Sequence, residues 1–196
     1  MNRLVCSFFI YICYKSYKMH PPRERILNTA YTLFHKQGYN NTGINQIIME
    51  ANVSKASFYA HFKSKDDLCI EFLNKRFDYW VSELENFTKP ASSLREKILS
   101  SFDFLMYMNE KENFRGCSFL NLLSEVPEEK LAIHTTIRDQ KKKLRDAFDI
   151  EIKDEILSAH IYLLFESSII TSQLYRSNEL IVKSKTILID IIKNLN

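Results

Sequence analysis

Between Ser54 and Phe62 the chain reads SKASFYAHF. Phe58 and Phe62 stand four apart, the spacing that sets two side chains on one face of a helix. Lys55, Ala56, Ser57, Tyr59 and His61 then occupy the opposite side. Lysine, serine, tyrosine and histidine all donate hydrogen bonds, and alanine is small enough to admit a close backbone. Such a face suits a nucleic-acid groove, where the first residues of a helix reach base edges and flanking groups hold phosphates. Lys55, Ala56 and Ser57 are therefore expected at base or groove edges. Tyr59, His61 and Lys65 are expected on phosphates, together with Thr42 ahead of the preceding helix.

No other spacing offers comparable chemistry. Cys117 with His134 or His160 lacks the nucleophile–base–orienter pattern of a thiol enzyme, and the chain has no glycine-rich phosphate loop. Cysteines 6, 13, 69 and 117 form no CxxC pair and have no histidine at metal-ligand spacing. Neither metal nor cofactor is expected, and an enzyme reading has no residues to carry it. Cys69 and Cys117 read as reduced, buried small hydrophobes of a cytoplasmic protein.

The elements that must present Lys55–His61 are legible from their periods. Ile26, Ala30, Leu33 and Phe34 recur at helical spacing, with Arg23, Arg25 and Lys36 off that face. This predicts a helix to about Gln37, closed by Gly38 as a left-handed cap. Thr42 or Gly43 can cap a second helix whose face is Ile44, Ile47, Ile48 and Ala51. Asn52-Val53 breaks that run, and Ser54 can cap a third helix over about 55–62. Two short helices joined by a tight turn, with Val53 buried at the elbow, form a helix-turn-helix. Ser64 can cap a fourth helix, with Asp66 and Asp67 in its first turn complementing the dipole.

Composition and charge agree. The chain has 196 residues, 45% of them hydrophobic and 26% charged, with only three glycines and four prolines. That scarcity of turn residues argues against sandwiches, barrels and Rossmann sheets and for an all-α fold of about nine helices. Residues 19–65 carry six basic and two acidic side chains, whereas 90–196 carry fifteen and sixteen. A basic N-terminal region on a near-neutral body points to an anionic partner at that end.

Residues 23–71, and above all SKASFYAHFKSKDDL (54–68), resemble the DNA-binding domain of the tetracycline-repressor (TetR/AcrR) family. The resemblance rests on Ala30, Phe34, Gly38-Tyr39, Thr42, Ile44, Ile47, Ala51, Val53-Ser54-Lys55, Phe58-Tyr59, His61-Phe62 and Ser64-Lys65. Gly43, where a hydroxyl or small residue often caps the helix, and Asn52, where glycine is usual, depart from the pattern. Both sit at turns, and asparagine tolerates a left-handed backbone. The resemblance implies a sequence-specific regulator of transcription. It would be a repressor that binds double-stranded DNA at a palindromic operator and is released by a small apolar or aromatic effector. It also implies a homodimer through the last two helices. An architectural DNA binder without a ligand, or a redox or electrophile sensor acting through Cys117 with Arg115 nearby, are the alternatives.

The expected organisation is a leader over 1–18, a DNA-binding domain over 19–65 and a ligand-binding and dimerisation domain over 66–196. Helices are expected over about 64–89, 91–110, 117–126, 128–149, 152–176 and 178–195. The helix over 152–176 is apolar nearly all round, with Ser158, Ala159, Ser167, Ser168 and Ser172 allowing close approach, so a second subunit is expected to cover it. Trp80, Phe102, Met106, Phe119, Phe165 and Ser168 are expected to line the effector cavity. Lys141, Lys142 and Lys143 read as a solvated face. The apolar run LVCSFFIYICY (4–14) is too short to span a bilayer. It reads as untranslated sequence before a start at Met19, as an accessory arm, or as an export signal, and no stable membrane partner is expected.

Overall fold

The computed structural model describes residues 20–193, so the readings made for residues 1–18 lie outside it. Among the described residues there are nine helices and no strand: α1 (Pro22–Gln37), α2 (Ile44–Glu50), α3 (Lys55–His61), α4 (Lys65–Thr88), α5 (Leu94–Lys111), α6 (Ser118–Glu125), α7 (Leu131–Ile152), α8 (Glu155–Tyr175) and α9 (Glu179–Ile191). None is long and apolar enough to cross a membrane. The chain divides into two compact units between Phe72 and Leu73.

The first unit is built on the apolar face of α1. Ile26, Ala30, Leu33 and Phe34 are buried with Ile47 and Ala51 at α2, Phe58 of α3, Phe62, and Leu68, Cys69 and Phe72 of α4. Phe34 stacks on Tyr39 at 6.0 Å and meets Phe72 at 5.5 Å. Each buried phenylalanine contributes about 1.5–3 kcal/mol relative to exposure. The unit runs on to Phe72 rather than stopping near residue 65, because the opening turns of α4 are tied to α1. Phe72 meets Tyr31 edge-on at 5.3 Å, and the Arg23 guanidinium donates to both oxygens of Glu71 at 2.5 and 2.6 Å.

Local chemistry sets the turns. Gly38 donates its N–H to Phe34 O at 3.1 Å, but its φ of 84° comes with a ψ of 178°. The cap is thus not the left-handed helical one expected at Gly38, but a region accessible essentially to glycine alone. Asn52 does take the left-handed conformation, φ 51°. Arg25 holds that turn from α1, donating Nη1 to Ala51 O at 3.1 Å and Asn52 O at 2.9 Å. Ser54 Oγ accepts from the Ser57 N–H at 3.0 Å, and Ser64 Oγ from the Asp67 N–H at 3.0 Å, as N-caps do. At α2 the cap position falls to Gly43, with no side-chain bond. Val53 is half-buried, not fully enclosed at the elbow.

The second unit holds the rest of α4 and α5–α9. Its core gathers Phe102 and Leu105 of α5, Leu144 of α7, Ile161 and Phe165 of α8, and Ile181 and Leu188 of α9. On α8 the inward residues are Ser158, Ile161, Phe165, Ser168 and Ser172, alternating three and four apart. Ser168 and Ser184, both buried, face each other at 3.3 Å, so small side chains do let α8 and α9 approach closely. The other side of α8 exposes Ile156, Leu163, Ile170 and Leu174, and α9 exposes Val182, Ile187, Ile189 and Ile191.

Candidate nucleic-acid interface

The helix-turn-helix presents one face of α3 outward. Phe58 is fully buried and Phe62 is 2% exposed, which fixes the roll of the helix. Lys55, Ala56, Tyr59 and His61 consequently lie at the surface, and Ser57 is half-buried. Tyr59 keeps its ring edge-on to Phe58 at 5.2 Å, so its phenol is held by the core side chain behind it. Five of the seven residues expected to contact DNA therefore share one surface of α3.

The structure gives the other two a different task. Thr42 is fully buried, and its hydroxyl donates to Gly38 O at 2.7 Å, so no part of it reaches a phosphate. Lys65 is half-buried, and its ammonium donates to Tyr39 O and Thr42 O, each at 3.1 Å. It also lies 3.9 Å from the centre of the Tyr39 ring. Lys65 is thus a clip that pins the α1–α2 loop to the start of α4 by carbonyl and cation–π contacts. Tyr39 completes the clip by donating its hydroxyl to Asp66. Burial first, and then that carboxylate, hold the Tyr39 phenol above its ordinary pKa.

The basic surface is accordingly composed differently from the sequence reading. Of the six basic residues in this region, Arg23, Arg25 and Lys65 are committed to Glu71, the α2–α3 turn and the α1–α2 loop. Lys36, Lys55 and Lys63 are exposed. Lys63, in the turn between α3 and α4, went unrecognised as a candidate phosphate contact. The signal that could have found it is its place between Phe62 and Ser64, one a core residue and the other a cap, which leaves the intervening side chain outward.

A cavity of about 60 Å³ lies in the second unit, walled by Phe77, Trp80, Leu105, Met108, Phe119, Leu144 and Ile169. Its polar wall comprises Arg76, Glu112, Arg115, Cys117, Gln140 and Lys141, among others. Of the residues expected to line it, Trp80 and Phe119 do. Phe102 and Phe165 instead meet edge-to-face at 5.5 Å inside the core, Ser168 faces Ser184, and Met106 packs against the core's flank. An apolar period marks a residue as inward, and these four were inward towards the core.

The charges at the cavity are paired. Arg76, 4% exposed, donates to both Glu112 oxygens at 2.6 and 2.5 Å. Lys141 donates to both Glu166 oxygens at 2.8 and 2.7 Å. Burial alone pulls the Lys141 pKa down, but Cys117 and Glu166 outweigh it and the net direction is up, so the ammonium stays charged. Cys117 is half-buried and free, whereas Cys69 is a buried small hydrophobe of the first unit as expected. Lys141 is therefore no solvated surface charge, although Lys142 and Lys143 are exposed. Among the described residues, no three His, Cys, Asp or Glu side chains are grouped to hold a metal ion.

A three-helix N-terminal unit with an outward donor-rich third helix, followed by an all-helical body, defines a helix-turn-helix protein. Residues 26–72 match the family described as "Bacterial regulatory proteins, tetR family". The regulator LmrA of Bacillus subtilis is 41% identical over 78 residues, 37% of this chain and 42% of that one. An HTH-type regulator from Lactococcus lactis is 28% identical over 116 residues, 56% of this chain and 57% of that one. The chain thus spans only about half the length of these curated relatives. A tetR-type regulator from Streptomyces avermitilis superimposes with a TM-score of 0.77 at 26% identity, over 90% of this chain and 100% of that one. A TetR-family regulator from Streptomyces coelicolor shares the fold, with a TM-score of 0.79 at 20% identity over 89% and 95% of the two chains. Residues 26–72 therefore carry the helix-turn-helix domain of the tetR family of bacterial regulatory proteins.

Proposed function

We propose that this chain is a sequence-specific DNA-binding regulator of transcription, acting as a repressor that a small apolar or aromatic effector releases from a palindromic operator. The observation that carries the reading is α3: its core side is fixed by Phe58 and Phe62, which leaves Lys55, Ala56, Tyr59 and His61 at the surface. Family members are DNA-binding regulators rather than enzymes, which agrees with the residues present. Two copies would pair through α8 and α9, whose outer faces expose Leu163 (63%), Leu174 (68%) and Val182 (52%). A body of this size rarely leaves so much apolar surface uncovered, and a twofold pair sets two recognition helices about 34–36 Å apart for a palindrome. The effector would occupy the cavity bounded by Trp80 and Phe119.

Fluorescence anisotropy of the full chain on DNA flanking its own coding region, titrated with salt and competitor, tests this. Tight, competitor-resistant binding to one palindrome is expected, with Ser57→Ala altering sequence preference but not the salt slope. Equal weak binding to all DNA would overturn sequence-specific regulation in favour of an architectural role.

A further inference from the structure

The cavity in the second unit contains an unanswered polar atom. Gln140 is 6% exposed and stands in the cavity wall; its amide N–H donates to Asn74 Oδ1 at 2.7 Å, while its carbonyl oxygen has no hydrogen-bond partner. A buried acceptor left in that state is costly and marks a place where a donor is missing. The next residue, Lys141, is in the same wall. An ammonium has three hydrogens, and two of them reach the Glu166 carboxylate. Neighbouring side chains thus offer one acceptor and one donor on a single turn of α7.

We propose that this cavity binds a hydroxylated single-ring aromatic molecule, its hydroxyl donating to Gln140 Oε1 and accepting from Lys141 Nζ. This deepens the effector reading and rests on it only for the consequence at DNA. The ring follows from Phe77, Trp80 and Phe119, which bound the cavity with aromatic surface. The hydroxyl follows by elimination. A hydrocarbon leaves Gln140 Oε1 unpaired, an ether or carboxylate brings a second acceptor against it, and an ammonium meets a wall in which the cations Arg76, Arg115 and Lys141 outnumber the single carboxylate of Glu112. The single ring follows from size: about 60 Å³ is less than the ~150 Å³ cavity that admits benzene, so even one ring needs the wall to yield.

Trp80 is the chain's only tryptophan and lies in the cavity wall, so its emission reports occupancy directly. Full-length protein is titrated without DNA using p-cresol, toluene, 4-methylanisole, 4-methylbenzoate and 4-methylbenzylamine, with calorimetry as a second readout. The expected result is p-cresol binding below about 1 mM, with each of the others weaker by about tenfold or more. Gln140→Leu is expected to erase that preference by weakening p-cresol about tenfold while toluene binding holds. Equal binding of p-cresol and 4-methylanisole to the unaltered protein overturns the proposal without needing any variant to fold. Tighter binding of the benzoate or the amine overturns it too, as does no binding at all. Binding of p-cresol that leaves an operator complex intact upholds the ligand class and refutes the effector reading alone.

Discussion

Lys63 and Lys65 stand two apart in one basic stretch, yet Lys63 is exposed while Lys65 is engaged by the α1–α2 loop, and replacing each by alanine separates a surface charge from a structural one. Lys65 makes two charge-assisted bonds to the carbonyls of Tyr39 and Thr42 and a cation–π contact to Tyr39. Hydrogen bonds to a charged group are worth about 1.5–3 kcal/mol when buried and a cation–π contact about 0.5–2. Half-burial of the side chain screens both, so Lys65→Ala is expected to cost about 1–3 kcal/mol of stability. Lys63 is exposed in the α3–α4 turn, and Lys63→Ala should change stability by no more than about 0.5 kcal/mol. At DNA the order reverses. Losing one phosphate contact lowers the slope of log K against log salt by about 0.9, which is expected for Lys63→Ala alone. Urea unfolding and anisotropy over a salt series supply both numbers for each variant. A Lys65→Ala protein of unchanged stability whose salt slope falls by about one would refute the clip and restore Lys65 to the phosphates.

Three further outcomes follow from the same contacts. Tyr39 is held neutral above its ordinary pKa of 10.0, so the folded state keeps a proton that the unfolded state loses. This contribution to stability is complete below pH 10 and is lost as pH rises above it. Tyr39→Phe should therefore show a smaller fall in urea-measured stability between pH 8 and pH 11; an equal fall in both proteins would count against the contact with Asp66. Leu163→Lys puts a charge in the exposed apolar face of α8 and should convert a dimer to monomer in sedimentation velocity with helicity retained; a dimer that persists would place the interface elsewhere. Arg76→Leu leaves Glu112, 14% exposed beside the cavity, without the guanidinium it accepts from and should cost about 3 kcal/mol, read by urea unfolding; a loss below about 1 kcal/mol would mean that solvent screens the pair.

The helices were readable because each carries a 3.6-residue apolar period, and their ends moved where caps decided otherwise. The helix expected from about 91 begins at Leu94, because Ser93 Oγ accepts from the Glu96 N–H at 3.2 Å while Glu96 reaches back to the Ser92 N–H at 2.8 Å. The one expected from 152 begins at Glu155, since Asp154 accepts from the Leu157 N–H at 2.9 Å. The one expected over 128–149 runs Leu131–Ile152 and stops where Lys153 turns left-handed, φ 57°. The recognition face was equally legible, because Phe58 and Phe62 declare which side of α3 is inward. The tasks of the cations were not. Arg23 and Arg25 read in sequence as charges off the apolar face and Lys65 as a phosphate contact, and only tertiary contact reveals the carboxylate and carbonyls that engage them. The cavity was the least legible of all, because core and cavity wall demand the same apolar residues and differ only in whether the space between them is filled.

In the proposed regulator one element serves both ends of the mechanism. Arg76, Phe77 and Trp80 of α4 form part of the cavity wall, while Lys65, Asp66 and Glu71 of the same helix hold the α1–α2 loop and α1. A ligand can bias such a helix only by as much as it prefers one of its positions. A cavity of about 60 Å³ supplies a source for that preference, because a ring too large for it binds better wherever the wall has moved. Shifting DNA occupancy from 99% to 1% needs about 10⁴-fold discrimination between the two states. An effector would therefore need an affinity for the displaced-wall state that exceeds its affinity for the resting one by that factor, whatever its absolute affinity. A ligand that binds more tightly without displacing α4 is then expected to leave repression unchanged, and paired measurements of Trp80 emission and operator release across a series of ring sizes would expose the difference.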